Sequence, residues 1–186
     1  MEKTVNLGTR LGSMILDHFI MGFASAVFFI PMMIKQFANA FMSDHDPKEF
    51  MFPSGPLFYM ALIGPALYYC KDCINGRSPG KRITKLQVVD NKIGAVASPL
   101  QCLVRGLFII IWPIEVIVTL TNPARRIGDL VAGTKVIDYD PALEQPKIDI
   151  VKLIIPFAIS YGFIALIMLG VQSLTHRFAG FVIRQF

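Results

Sequence analysis

Charge is scarce in this sequence. Asp, Glu, Lys and Arg supply 17 % of its 186 residues, against about 25 % in a soluble globular domain. The apolar set reaches 54 % and the mean hydropathy is +0.55, an excess that a small domain with a high surface-to-volume ratio cannot bury. The same figures exclude intrinsic disorder, which needs low hydrophobicity and high charge. Cysteine is also sparse: three thiols cannot make a complete disulfide framework, so a stapled secreted mini-domain is excluded. There is no Asn-x-Ser/Thr glycosylation signal. A nucleophile elbow, a phosphate-cradling loop and a soluble pair of catalytic carboxylates are missing too, so neither an enzyme nor a bound cofactor or metal is expected. The net charge of +5 rests on 18 cations in an apolar background, which argues against a nucleic-acid partner. The composition is that of an integral membrane protein.

A helix needs about 20 mostly apolar residues to cross a bilayer core, and four segments come near that length. Leu11–Ile34 is interrupted only by Asp17 and His18, and Phe50–Cys70 is uncharged but broken by Pro53, Pro56 and Gly64-Pro65. Those breakers predict an initial turn near Pro53–Pro56 and a kink at Pro65. Pro99–Leu120 carries Arg105 and Glu115, while Leu153–Thr175 carries no charge at all. The Ala24-Ser25-Ala26 triplet resembles a signal-peptide cleavage site, but Asp17-His18 splits the apolar run and the run continues to Ile34. The segment therefore reads as a retained span.

Two basic stretches separate the later spans. In 71–98 the cations Lys71, Arg77, Lys81, Arg82, Lys85 and Lys92 outnumber Asp72 and Asp90, and Ile83–Val89 alternates like a short strand. In 121–149, Asn122-Pro123 reads as a helix start, Ala124–Ala132 as a short helix closed by Gly133, and Thr134–Tyr139 as a strand. The stretches echo each other: Lys81-Arg82-Ile83 leads to Val88-Val89-Asp90, and Arg125-Arg126-Ile127 leads to Val136-Ile137-Asp138.

Cytoplasmic loops carry the Lys/Arg excess, so the 71–98 loop and the N-terminus are expected inside. Leaving out Arg105 and Lys152 as membrane-embedded or boundary, cations divide 10 inside to 6 outside if 99–120 crosses, and 12 to 4 if it bends back at Trp112-Pro113. Its unbroken length favours a crossing, and the charge division favours a re-entrant hairpin. The expected fold is an all-α membrane bundle of four transmembrane helices with short strand-like cytoplasmic segments, the third helix being open to the re-entrant alternative.

One ordered set of residues resembles a known family. Arg10 and Asp17 in the first helix come first. Ser78-Pro79-Gly80-Lys81-Arg82 follows and leads into Leu86-Gln87-Val88-Val89-Asp90, and then comes Arg105. The set ends in Arg125-Arg126-Ile127-Gly128-Asp129-Leu130-Val131-Ala132-Gly133-Thr134-Lys135-Val136. This order resembles the RDD family of bacterial multi-pass membrane proteins, named for one arginine and two aspartates. The resemblance implies that these are Arg10, Asp17 and Asp129. It suggests a domain at 1–140, followed by an additional helix and tail at 141–186, and a location in the bacterial inner membrane. It also implies transport of unidentified ligands, with some relatives linked to sodium/proton exchange.

Charged groups inside a bilayer cost about 2.5–3.5 kcal/mol each on insertion scales, so they need a reason. Arg10 and Asp17 share a helical face two turns apart. In the functional reading Asp17 carries a proton or monovalent cation and is tuned by Arg10, Arg105 or His18. In the structural one it is neutralised by Arg105 across helices. Glu115 is a second carrier candidate with no evident partner. Asp129 either pairs locally with Arg125 and Arg126 or reaches Arg10 or the 77–85 turn. The latter requires both basic loops on one side of the membrane.

Cys70-x-x-Cys73 lacks the company of a zinc or thioredoxin site and reads as packing. Asp44-His45-Asp46 with Glu49 reads as solvated charge. Arg77, Lys81, Arg82 and Lys85 are expected to face anionic lipid headgroups, at about 1 kcal/mol per cation near the surface. The expected function is transport, most concretely cation/proton exchange by a homo-oligomer, since four helices make a thin pathway. The alternative is a non-transporting scaffold whose basic loops bind a protein partner or lipid.

Overall fold

The structure, a computed structural model, describes residues 5–41 and 55–183. It is mostly helical. Helix α1 spans Leu7–Ala40 and starts at Asn6, whose side-chain oxygen accepts from the Gly8 and Thr9 amides at 2.8 and 3.3 Å. These bonds satisfy two of the donors every helix start leaves open. Helices α2 (Pro56–Ala61) and α3 (Ile63–Tyr69) form the second segment. The break falls at Leu62 rather than at Pro65, because the ring of Pro65 disturbs the preceding turn and removes the bond to the Ala61 carbonyl. The expected turn residue Pro53 and the acidic group Asp44, His45, Asp46 and Glu49 lie outside the described residues.

After α3 the chain turns into α4 (Pro79–Ile83) and strand β1 (Leu86–Asp90). The strand begins later than Ile83 because Ser78 caps a short helix there, accepting from the Lys81 amide. Helix α5 (Pro99–Leu107) opens with a capping box of Ser98 and Gln101. A 3-10 turn at Phe108–Ile111 joins it to α6 (Trp112–Thr121). The chain bends by 109° between Pro99–Ile111 and Pro113–Thr121. Helix α7 (Ile127–Ala132) starts three residues later than expected, since Asn122 accepts from the Ala124 and Arg125 amides and holds a turn there. Gly133 ends α7 at φ 67°, the left-handed conformation that glycine adopts freely. Strand β2 (Thr134–Asp138) and helix α8 (Ile150–Ile183) complete the described chain.

β1 and β2 pair antiparallel, with Val88 opposite Val136. The sequence echo is therefore structural: each copy is a short helix followed by a strand, and the two strands form one sheet. This pairing brings both basic loops together at one end of the bundle. Leu86, Val88, Val136, Cys73, Cys102 and Val5 form the core beneath the sheet. A second cluster of Phe58, Leu62, Ala66 and Ile164 joins the α2–α3 segment to α8.

Among the described residues, two helices are long and apolar enough to cross a membrane: Leu7–Ala40, and α8 over Ile150–Thr175. The bent 99–121 pair counts as a third only if taken as one span. Four such helices are thus not found. Large side chains along α1 and α8, including Phe19, Phe23, Phe37, Leu166 and Leu174, stand exposed, which suits a lipid environment. The protein is an integral membrane protein.

Candidate functional site

Where α1 meets the paired loops, nine charged side chains join in one buried series. Asp17 sits on α1, seven residues into the face begun by Arg10, and its carboxylate is held from three directions. The Ser78 hydroxyl donates at 2.6 Å, the Gly80 amide at 2.8 Å, and the Lys81 amine at 3.2 Å. Lys71 Nζ stands further off, at 3.8 Å. Lys81 also donates to Asp72 at 2.8 Å, and Asp72 accepts from Arg105 at 3.0 Å and from the Ser78 amide at 3.1 Å. Arg105 Nε lies 2.7 Å from Asp129, to which Arg10 donates at 3.1 Å. Arg126 closes the series, 3.7 Å from Asp129 and 2.8 Å from Glu115. Glu115 also accepts from the Gly128 amide at 2.7 Å. The order is Lys71–Asp17–Lys81–Asp72–Arg105–Asp129, with Arg10 and Arg126 on Asp129 and Glu115 beyond Arg126.

Two glycines let the backbones come this close. A Cβ at Gly80 would lie 2.6 Å from both Asp17 Oδ1 and the Ser13 carbonyl, and one at Gly128 would lie 2.5 Å from the Arg105 carbonyl. Only a residue without a side chain fits either contact, so Gly80 seats α4 on α1 and Gly128 seats α7 on α5.

Several expectations change here. Asp17 is not neutralised by Arg105, because the α4 turn reaches it first and Arg105 is engaged by Asp72 and Asp129. Lys81 does not face lipid: it is 2 % exposed, drawn inward by two carboxylates. The other three cations of that loop stay outward to differing degrees. Arg77 stacks 3.9 Å from the Tyr139 ring centre, Arg82 is exposed and donates to the Arg77 and Ile74 carbonyls, and Lys85 is exposed. His18 points away from the series and meets the Tyr68 hydroxyl at 2.8 Å. Glu115 has its partner in Arg126. Asp129 makes both contacts weighed for it, the local one to Arg126 and the long-range one to Arg10.

Sequence reasoning missed Lys71 and Asp72 as members, set Lys81 among the lipid-facing cations and gave Arg126 only its local pairing with Asp129. They looked like ordinary loop charge, and no spacing distinguishes a charge folded under a helix from one left in water. Within the series, three groups outside the spans have shifted pKa values. Asp72 and Asp129 lose solvation, yet neighbouring cations win and hold both carboxyls below the ordinary range. Lys81 and Arg105 act on Asp72, and Arg105 and Arg10 on Asp129. Burial lowers Lys71 to about 7, against the opposing pull of Asp17.

Five cations face four carboxylates in this series, so it is overall cationic when fully ionised. Removing one member of such a set strands the others in low dielectric. Its chemistry is therefore that of a clamp tying α1, α4, α5 and α7 together, with one loosely held amine at its end. Among the described residues no group of His, Cys, Asp and Glu is arranged to hold a metal.

The RDD family model matches residues 4–181, which takes in α8 as well as the paired loops. No curated protein and no solved structure matches the chain.

Proposed function

Because the chain belongs to the RDD family, we propose that it is a multi-pass protein of the bacterial inner membrane that exchanges a proton for a monovalent cation at Asp17. The topology in this reading follows from the pairing of β1 with β2. Both basic loops share one side, so segment 99–121 is re-entrant, and the positive-inside rule makes that side and the N-terminus cytoplasmic. α1 leaves the cytoplasm, the α2–α3 segment returns, and α8 leaves again. The irregular backbone at Phe108–Trp112 is tolerable at depth when protein covers it. So small a bundle works as a homo-oligomer.

One observation carries the exchange reading. The 3.8 Å Lys71–Asp17 contact is the longest in the series, and it involves the amine that burial brings to about 7. When Lys71 releases its proton, four cations face four carboxylates and one flank of Asp17 loses its competitor. A monovalent cation can then take that flank, and its departure accompanies reprotonation of Lys71. Glu115 is a poorer carrier than the sequence suggests, since the Gly128 amide and Arg126 occupy its two oxygens.

The test is proton movement in proteoliposomes reported by an entrapped pH dye after a Na⁺ or K⁺ jump. Wild type is expected to respond, while Asp17→Asn and Lys71→Gln fall silent in vesicles loaded with equal amounts of folded protein. Equal inertness of wild type and Asp17→Asn retires the reading. The scaffold alternative draws on a different observation: Ile83 is exposed beside exposed Arg82 and Lys85, an apolar and cationic mixture suited to anionic headgroups. Loss of co-purifying anionic lipid in Arg82→Gln/Lys85→Gln, with no ion movement by wild type, supports that alternative.

A further inference from the structure

The turn after α3 holds chemistry that the ion-pair series does not use. Cys70 and Cys73 flank Lys71 and Asp72, and the Cys73 amide donates to the Cys70 carbonyl at 2.9 Å. A turn closed this way keeps its first and fourth Cα atoms within about 7 Å, the range a disulfide spans. The two thiols are free, and the Cys73 thiol donates to the Pro99 carbonyl at 3.3 Å. Cys70 is half-buried. Cys73 lines an open cavity of about 70 Å³ between this turn and the start of α8, whose rim carries Lys147 together with Lys152 and its ion-pair partner Asp149 at 3.6 Å. That volume exceeds a water site and admits the end of a small organic molecule. Cys102 lies in the same core cluster but is fully buried.

We propose that Cys70 and Cys73 form a reversible dithiol–disulfide site that exchanges with small anionic disulfides of the glutathione type. The Cys70 thiolate attacks one sulfur of the small disulfide; that S–S bond breaks and one small thiolate leaves, taking up a proton. Cys73 gives its proton to solvent, attacks the Cys70 sulfur of the mixed disulfide, and expels the second small thiol. The protein dithiol is oxidised by two electrons and the small disulfide is reduced to two thiols. Lys147 attracts a carboxylate of the reagent, Lys152 being engaged by Asp149, and Cys102, lacking access, takes no part. The product disulfide pins the turn that carries Asp72, which binds Ser78, Lys81 and Arg105, so the redox state reaches the centre of the series. Such thiol chemistry in a reducing compartment is of the transient or sensing kind.

The experiment is independent of ion exchange. Full-length protein in lipid nanodiscs is equilibrated at graded ratios of oxidised to reduced glutathione, quenched with an alkylating mass tag and weighed intact. Wild type is expected to lose two free thiols together without gaining adduct mass. Cys73→Ser should accumulate one glutathione on Cys70, Cys70→Ser should form no disulfide, and Cys102→Ser should behave as wild type. A stable adduct on wild type, a bond through Cys102, or three intact thiols at the most oxidising ratio overturns the proposal.

Discussion

Replacing Asp129 with asparagine isolates the electrostatic role of the buried series. The side chains are nearly the same size, and an asparagine oxygen can still accept from one of the two donors that now reach separate carboxylate oxygens, the Thr134 hydroxyl at 3.0 Å or the Arg126 amide at 3.2 Å. What disappears is the negative charge that faces Arg105 at 2.7 Å, Arg10 at 3.1 Å and Arg126 at 3.7 Å. Arg105 keeps Asp72 and Arg126 keeps Glu115, but Arg10 has no other carboxylate partner among the described residues. One cation, 1 % exposed, is left without an anion. Breaking a buried pair from one side costs about 3–5 kcal/mol, and Asp129→Asn is expected in that range. SDS titration of the protein in mixed micelles, followed by circular dichroism, measures it. Adding Arg10→Met removes the stranded charge and should return about 1–2 kcal/mol, since contacting groups couple by 0.5–3 kcal/mol. Lys92→Gln, on an exposed turn, should stay within about 0.5 kcal/mol of wild type. A loss for Asp129→Asn below about 1 kcal/mol, or strict additivity with Arg10→Met, would refute the clamp.

Three further outcomes follow from the same geometry. Lys71 is lowered from 10.5 to about 7 among Asp17, Asp72, Lys81, Arg126 and Tyr68, so between those values the folded state binds fewer protons than the unfolded. Its contribution makes stability rise with pH across that window, with the full penalty present below 7; Lys71→Met should flatten the rise in SDS titrations at several pH values. Gly80→Ala forces a Cβ against Asp17 and Ser13 and should cost about 1–3 kcal/mol. Gly12→Ala, with open space around it, should be neutral or stabilising, and equal effects at the two sites count against the α1–α4 contact. Finally, Lys92→Cys and Asp140→Cys should label with a membrane-impermeant maleimide from the same side, above the background of the parent chain; labelling from opposite sides contradicts the β1–β2 pairing.

Much of the fold was legible one residue at a time. The uncharged run at Leu153–Thr175 and the helix stop at Gly133 are local signals, set by side-chain polarity and backbone geometry within a few residues. The echo between the two basic loops was legible as well, although only pairing reveals why it exists. Length alone could not show the shape of 99–120: the segment has enough apolar residues to cross, but the chain bends by 109° at the 3-10 turn before Trp112-Pro113. The candidate site was half visible. Asp17, Arg105 and Glu115 stood out because charge inside an apolar run is conspicuous, and Arg10 and Asp129 because they belong to the ordered set that resembles the RDD family. Lys71, Asp72, Lys81 and Arg126 did not, because cations and carboxylates in a loop look alike whether solvated or buried.

By itself the sequence determined the solvent. Seventeen per cent charge in so apolar a chain commits it to a bilayer, because apolar transfer is additive along the chain and needs no knowledge of neighbours. Which charge meets which was decided only by tertiary structure. Ion pairing depends on distances of a few ångströms between residues as far apart as Arg10 and Asp129. Those distances exist only once β1 has paired with β2, Gly80 has seated α4 on α1, and Gly128 has seated α7 on α5.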